Sequence, residues 1–304
     1  MIYTVTLNPA LDYVMHIFHL TPGGTNRAQR EELQIGGKGI NVSLILRQLG
    51  IESVALGFLA GDTGELLLRR LTDTRVKSDF VFLPDGMTRI NVKLKGTAET
   101  ELNGQGPPIP PEALQCFFHK LDQLREDDTL ILAGSIPPSL PPDTYEQALS
   151  RLAGKKVRCA VDAAGELLAR VLPFRPFLIK PNHHELEELI GETLNPKDNL
   201  ALIRAAQSLQ HKGARNVLIS LAQYGSLLVS EEGKAYPQPA AAGTLQNSVG
   251  AGDSMVAGFL AGYDSGSYEE ALLLATAAGG ATAFSPRLAT KDEIQAVYRQ
   301  LKKG

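Results

Sequence analysis

Short apolar runs alternate with longer segments of helical period along most of this chain, and that alternation restricts the fold more than any single residue. Residues 2–7, 53–58, 129–133, 156–161, 177–180 and 217–220 each read as a buried strand. Helices are expected over 62–71 (with Asp62 or Thr63 as cap), 112–124, 143–152 and 200–211. Another strand at 227–230 and helices at 269–283 and 291–302 complete the series. Strands joined through helices run parallel and need cover on both faces. The pattern therefore predicts an α/β fold, a doubly wound mainly parallel sheet with helices on both faces. With no internal repeat or long linker, residues 1–304 read as a single domain.

Two glycine clusters open helices. Gly250-Ala251-Gly252-Asp253 leads into Val256, Phe259, Leu260 and Tyr263, spaced i, i+3, i+4 and i+7 as in an amphipathic helix. Glycines before a helix let free backbone N–H groups converge at the positive end of its dipole, which makes an anion site. Asp253 there is either a cap or a group that accepts a proton as a phosphoryl passes. Gly36-Gly37-Lys38-Gly39-Ile40-Asn41 opens a helix with Val42, Ile45, Leu46 and Leu49 on one stripe, closed by Gly50. It is not a P-loop, since Gly39 follows Lys38 where Ser or Thr is required. Nor is the later cluster a dinucleotide fingerprint, because Met255 takes the place of the third glycine.

Two segments break the strand–helix rhythm. Residues 13–35, around Pro22-Gly23-Gly24, resemble a hairpin. Residues 88–95 alternate strictly, with Ile90, Val92 and Leu94 on one face and Arg89, Asn91, Lys93 and Lys95 on the other. Such a face is either ordinary exposed strand or a surface suited to a phosphorylated sugar. With residues 97–102 it forms a second hairpin. The two segments, about 11–35 and 88–104, could pair as a small β-sheet lid.

In doubly wound sheets, ligands gather at the C-terminal strand ends. Asp12, Ser135, Asp162, Lys180 and the residues before Gly250 all follow expected strands, so they could face one cleft. Asn182 and Glu185 have the spacing of a capping box. His183 and His184 lack a third ligand at suggestive spacing and read as surface or packing residues. Cys116 and Cys159 offer no disulfide framework and read as buried apolar residues. A net charge of −3 without a basic run excludes the usual nucleic-acid binder. Without a signal-like start or apolar span, the cytoplasm is the expected compartment and a membrane is not an expected partner. Cations, an anion hole and a candidate base suit phosphoryl transfer from a nucleotide to a hydroxyl, which needs positioning and charge neutralisation more than covalent chemistry.

Thr6-Leu7-Asn8-Pro9-Ala10-Leu11-Asp12, Gly36 to Asn41, Thr88-Arg89-Ile90-Asn91-Val92, Gly134-Ser135-Ile136-Pro137-Pro138, Lys180 to Glu185 and Val249 to Ser254 occur in the order typical of ribokinase-like (PfkB-type) carbohydrate kinases. The chain resembles that family from end to end, and most closely its phosphosugar branch. The resemblance implies Asp253 as the base and Gly250, Ala251 and Gly252 as the anion hole. It implies Asp12, Gly37 and Asn41 on sugar hydroxyls, and Arg27, Lys38, Arg89 and Ser135 on the substrate's phosphate. Lys180, Asn182, Ser220, Gly225, Gly250, Gly252 and Gly280 would adjoin ATP, with Asn182 and Glu185 arranging Mg2+ through water. The implied reaction is ATP-dependent phosphorylation of fructose 1-phosphate to fructose 1,6-bisphosphate. Tagatose 6-phosphate and fructose 6-phosphate are alternative acceptors, and a non-catalytic sugar-phosphate sensor is a rival of another class. Lid strands in the family often pair between subunits, so a homodimer is a possible assembly. The chain departs from the family pattern at Ala222 and Ser139, where glycine is usual, and at Gly280, where serine is common.

Overall fold

A computed structural model describes residues 1–264 and 266–303. In chain order, β1 (Ile2–Thr6), β2 (Ala10–His16), β3 (Arg30–Gly36) and α1 (Lys38–Gln48) are followed by β4 (Ser53–Ala60) and α2 (Gly61–Asp73). Then come β5 (Lys77–Ser78), β6 (Val81–Leu83), β7 (Arg89–Lys95), β8 (Glu99–Asn103), α3 (Pro111–Asp122), β9 (Thr129–Ala133) and α4 (Thr144–Arg151). The second half holds β10 (Arg158–Asp162), α5 (Gly165–Val171), β11 (Leu178–Ile179), α6 (His183–Ile190), α7 (Asn199–His211), β12 (Asn216–Ser220), β13 (Ser226–Val229) and β14 (Ala235–Gln238). Helices α8 (Ala251–Tyr263), α9 (Tyr268–Ala283) and α10 (Lys291–Leu301) end the chain.

The strands form a ten-stranded sheet of order β14-β13-β12-β11-β10-β9-β1-β4-β5, with β6 also on β4. It is parallel from β5 to β12, and β13 and β14 join antiparallel at one edge. This is the doubly wound, mainly parallel sheet that the alternating pattern led to. Its buried strands place Val5, Leu56, Leu132, Val161 and Ile179 against the helices of one face. Ile131, Ala160, Leu178 and Leu218 meet α1, α8 and α9 on the other. Strands β5, β6 and β14 and helix α5 have no counterpart among the expected elements. The first two are two and three residues long, too short to carry a period.

A separate four-stranded sheet, β3-β2-β7-β8, is built from the two hairpin segments, joined by β2 and β7 running parallel. Asp12 therefore lies within β2 rather than just beyond a strand of the main sheet.

Three local expectations are corrected. Helix α2 starts at Gly61 behind Ala60, and neither Asp62 nor Thr63 caps it. Cys116 is exposed, because α3 turns Phe117, Phe118 and Leu121 inward instead. Helix α8 is not amphipathic: every residue from Asp253 to Leu260 is buried. It lies beneath α9, and glycine permits the approach. A Cβ on Gly258 would stand 2.5 Å from the Leu274 carbonyl oxygen, and one on Gly262 2.6 Å from the Ala271 Cα. A helix hydrophobic all round belongs inside the protein. No described helix is long and apolar enough to cross a membrane.

Candidate functional site

The site assembles where α1 and α8 point their N-termini past the C-terminal ends of β1, β10 and β11. Gly37 precedes α1 at φ 129°, and no side chain of its own caps that helix. The cap comes instead from β1, where the Thr6 hydroxyl accepts a hydrogen bond from the Ile40 N–H at 3.0 Å. A side chain at Gly37 would collide with Thr6, its Cβ only 2.7 Å from Cγ2. This contact fixes the first turn of α1 and with it Lys38 and Asn41.

Gly250, at φ 80°, is the cap position of α8. Asp253 sits inside the first turn, 5 % exposed, so it is not a cap. Its Oδ2 accepts a hydrogen bond from Asn41 Nδ2 at 2.8 Å, which links the two glycine-led helices. Burial pushes the Asp253 carboxyl up to about 7, helped by the charge of Asp162 and opposed by the Asn41 bond, Lys38 and Lys180. The Ser254 hydroxyl donates to the Gly250 carbonyl at 2.8 Å and also pairs with Thr282.

Asp162, the last residue of β10, is 2 % exposed and lies between two ammonium groups. Lys38 Nζ stands 3.5 Å from Oδ2, and Lys180 Nζ 3.3 Å from Oδ1. Burial alone would raise the Asp162 carboxyl, but Lys180 and Lys38 together hold it below its ordinary value. For Lys38 burial is likewise outweighed, here by Asp162, Asp253 and Glu185, and its ammonium is raised. Lys180 is 5 % exposed and reaches the α8 N-terminus because residue 252 is glycine: a Cβ there would be 2.9 Å from Nζ. As a sequence, Asp162 was one of several strand-end residues that could face the cleft, with no partner indicated. Its contact with Lys180 depends on β10 and β11 being adjacent, and its contact with Lys38 on where α1 begins, and no local pattern encodes either.

The inner face of the small sheet carries the polar set of β7. Asn91 Nδ2 donates to Asp12 Oδ1 at 2.8 Å, and Lys93 Nζ lies 2.9 Å from Asp12 Oδ2. Arg89 is half-buried, its Nε donating to the Asn8 carbonyl at 3.1 Å and its Nη1 to that of Gly104 at 3.4 Å. Gly36 must lack a side chain, since its Cβ would lie 2.8 Å from Asp12 Oδ1. Two expected phosphate contacts stand apart. Arg27 is exposed in the segment between β2 and β3, with no hydrogen bond or ion pair to a described residue. Ser135 is exposed just after Gly134, which itself packs on the Lys38 stem.

At the start of α6 both halves of the capping box are present. Asn182 Oδ1 accepts from Glu185 N at 2.9 Å, and Glu185 Oε2 accepts from Asn182 N at 2.8 Å. One Glu185 oxygen remains, on a half-buried carboxylate whose charge reaches Lys38. Hard oxygen donors in small number suit a Mg2+ ion that keeps much of its water. His183, His184 and Glu187 do bring three donor atoms within 4.8 Å, a grouping their sequence spacing did not suggest. His183 Nε2 and Glu187 Oε1 are already engaged with the Leu194 peptide, at 2.8 and 2.7 Å, so the cluster holds the chain after α6.

Ser220 ends β12 and bridges to Asn182. Gly225, at φ 97°, packs against the end of β14, where any Cβ would be 2.1 Å from the Gln238 carbonyl oxygen. Gly280 faces Ala241, Phe284 and Val297 at ordinary contact distance, while Gly279 on the same helix meets Met255 of α8. The small residues of α9 thus divide between packing on α8 and contact with the segments around Ala241 and Val297. Ala222 adopts φ 50°, the left-handed region that glycine tolerates and alanine does not favour. If a nucleotide lies beside residue 222, as the resemblance implies, replacing Ala222 by glycine is expected to lower KM for it about twofold or more with KM for the second substrate unchanged, since it removes a methyl. An unchanged or higher nucleotide KM in steady-state kinetics would show that the methyl does not obstruct the nucleotide.

The sequence matches the family described as pfkB family carbohydrate kinase over residues 5–294. It is 44 % identical over 303 residues to 1-phosphofructokinase of Bacillus subtilis, covering 99 % of both chains. It is also 33 % identical over 304 residues to D-tagatose-1-phosphate kinase of Bacillus licheniformis, covering 99 % of this chain and 98 % of that one. Its structure superposes on that of phosphofructokinase-2 from Escherichia coli in complex with substrates and products with a TM-score of 0.92, at 30 % identity and 99 % coverage of each chain.

Proposed function

The chain belongs to the pfkB family of carbohydrate kinases and is a sugar-phosphate kinase, and within that class we propose that it transfers the γ-phosphoryl group of ATP to fructose 1-phosphate. The likeness to 1-phosphofructokinase of Bacillus subtilis supports the acceptor, and the observation that carries the phosphoryl transfer is Asp253. It is a buried carboxylate with a proton affinity near neutrality, one turn inside a glycine-led helix and hydrogen-bonded to Asn41. A base of that affinity suits a hydroxyl acceptor at physiological pH. The C6 hydroxyl gives its proton to Asp253 while its oxygen bonds to the γ-phosphorus. The bond from that phosphorus to the β,γ-bridging oxygen breaks, and fructose 1,6-bisphosphate and ADP result. The N–H groups of Gly250, Ala251 and Gly252, at the positive end of α8, would receive the charge on the phosphoryl in flight.

Asp12, Gly37 and Asn41 would hold the sugar hydroxyls, and Lys38 and Arg89 the 1-phosphate, with Arg27 and Ser135 reaching it from exposed segments. Lys180 would meet the nucleotide phosphates, with Ser220, Gly225 and Gly280 lining the nucleotide's place. Asn182 and Glu185 would hold Mg2+ through its waters, and the ion supplies neutralisation of the phosphate charge. A primed base argues against a mere sensor. The outer face of the small sheet exposes Ile90 and Leu102 beside half-buried Tyr13, Val92 and Leu94, and a second copy could cover it as a homodimer.

Tagatose 1-phosphate is the second acceptor to weigh, favoured by the D-tagatose-1-phosphate kinase among the relatives. Tagatose 6-phosphate and fructose 6-phosphate carry the phosphate at the other end of the sugar. A coupled assay of ADP release over these four phosphates and ribose is expected to give the highest kcat/KM with fructose 1-phosphate. Faster turnover of tagatose 1-phosphate would transfer the assignment to that sugar, and fastest turnover of ribose would end the phosphosugar reading.

A further inference from the structure

Among the described residues, four buried side-chain polar atoms lack a hydrogen-bond partner: Asn91 Oδ1, Glu146 Oε2, Asp162 Oδ1 and Ser230 Oγ. Asp162 Oδ1 has the Lys180 ammonium at 3.3 Å, and Glu146 is paired with Arg170 through its other oxygen. Ser230 follows β13 at the sheet edge, away from the cleft. Asn91 Oδ1 is different. Its residue is only 8 % exposed, and it stands on the inner face of the small sheet, directly across from Asp12 in the β2–β7 register. Leaving a buried carbonyl oxygen without a donor is costly, and native proteins reserve such atoms for a ligand or water.

The neighbours define what would satisfy it. Asn91 spends its amide N–H on Asp12 Oδ1 at 2.8 Å, which turns its carbonyl oxygen free. Lys93 Nζ binds Asp12 Oδ2 at 2.9 Å and keeps two further N–H bonds to give. The cluster therefore offers acceptors on Asn91 and Asp12 beside a donor on Lys93. A sugar hydroxyl is both donor and acceptor, so a pair of adjacent hydroxyls matches the cluster and an anion does not. Asn41, the other sugar-side amide, already donates to Asp253. Asn41 thus stands beside the base at the reacting centre, and a ring hydroxyl remote from that centre is read elsewhere.

Resting on the sugar-phosphate kinase reading above, we propose that Asn91 and Lys93 read the ring hydroxyls of the ketose, with Asn91 Oδ1 accepting from one hydroxyl and Lys93 donating to its neighbour. Asn91 is then a specificity-determining residue. Lys93 also positions Asp12.

The test compares wild type, Asn91→Ala, Asn91→Ser and Lys93→Met on fructose 1-phosphate, tagatose 1-phosphate (the C4 epimer) and the 3-deoxy and 4-deoxy forms of fructose 1-phosphate, with thermal melts to confirm folding. Asn91→Ala is expected to raise KM for fructose 1-phosphate about tenfold, the usual scale of one hydrogen bond, with kcat within about twofold and KM for ATP unchanged. On one of the two deoxy sugars the same substitution is expected to cost nothing further, since the bond is already gone. The ratio of fructose to tagatose 1-phosphate turnover should also move in the variants. An equal loss on all four sugars, or a loss confined to ATP, would reduce Asn91 to a structural support of Asp12. If Asn91→Ala melts near room temperature, Asn91→Ser supplies the same comparison. Wild type inactive on every sugar would remove the kinase reading together with this one, whereas an active wild type and indifferent variants would remove this one alone.

Discussion

Asp253→Asn is expected to lower kcat at least ~10²-fold while KM for both substrates stays within a few-fold. The substitution keeps shape, and an amide oxygen at 253 can still accept from Asn41, so the link between α1 and α8 survives. What disappears is the proton acceptor. Because burial sets the Asp253 carboxyl at about 7, wild-type kcat should rise with pH through neutrality and level off above it. The residual activity of the variant should lack that limb. Stability moves the other way. A carboxyl whose folded pKa lies above its unfolded one contributes most below the unfolded value, and that contribution is lost as pH rises through the folded one. Between about 4 and 7 wild type therefore forfeits stability that the amide does not, and the variant should melt higher than wild type at pH 8 with a smaller gap at pH 5. A kcat within threefold of wild type would leave Asp253 a structural residue of α8.

Asp162→Asn is expected to destabilise the fold by about 3–5 kcal/mol at neutral pH, the scale seen when one partner of a buried ion pair is removed. Lys180, 5 % exposed, would face Lys38 without the carboxylate that now separates them. The sign follows from the depressed Asp162 carboxyl: its contribution is present above the unfolded carboxylate pKa and lost as pH falls through the folded one. Chemical denaturation should show the deficit at pH 7 shrinking in strong acid. The catalytic consequence is opposite in sense. The negative charge of Asp162 helps raise Asp253, while Lys38 and Lys180 pull it down. Without Asp162 the acidic limb of the pH–rate profile should move to lower pH. A limb that stays in place, with stability lost as expected, would confine Asp162 to a structural role.

Much of this site could be read before any coordinates. The glycine clusters have clear physical signatures, and the alternation of residues 88–95 put Arg89, Asn91, Lys93 and Lys95 on one face. Which face would be covered was not legible. Polar residues usually turn outward, yet here Asn91 is buried and Ile90 exposed, because the small sheet turns its polar side to the cleft. Asp253 was legible as a residue but not as a position. Cap and third helical residue share one local pattern, and only the φ of Gly250 separates them. The bond from Asn41 to Asp253 was not legible, because nothing in the sequence ties two residues 212 positions apart. Helix α8 looked amphipathic because Val256, Phe259, Leu260 and Tyr263 mark one stripe. The other side is covered by α9, and glycine and alanine there give no sign of burial.

The small sheet assigns its chemistry by odd and even position alone. From Asp12 to His16 and from Arg89 to Lys95, residues turn to the cleft or away from it according to parity, and β2 and β7 are locked together so that both keep the same count. Insertions and deletions in these two strands are therefore constrained to even lengths. One lost residue would exchange Arg89, Asn91 and Lys93 for Ile90, Val92 and Leu94 all at once. The exposed segment from residue 18 to 29 has no such arithmetic to obey. Length differences among related chains should accumulate there and bypass the strands on either side.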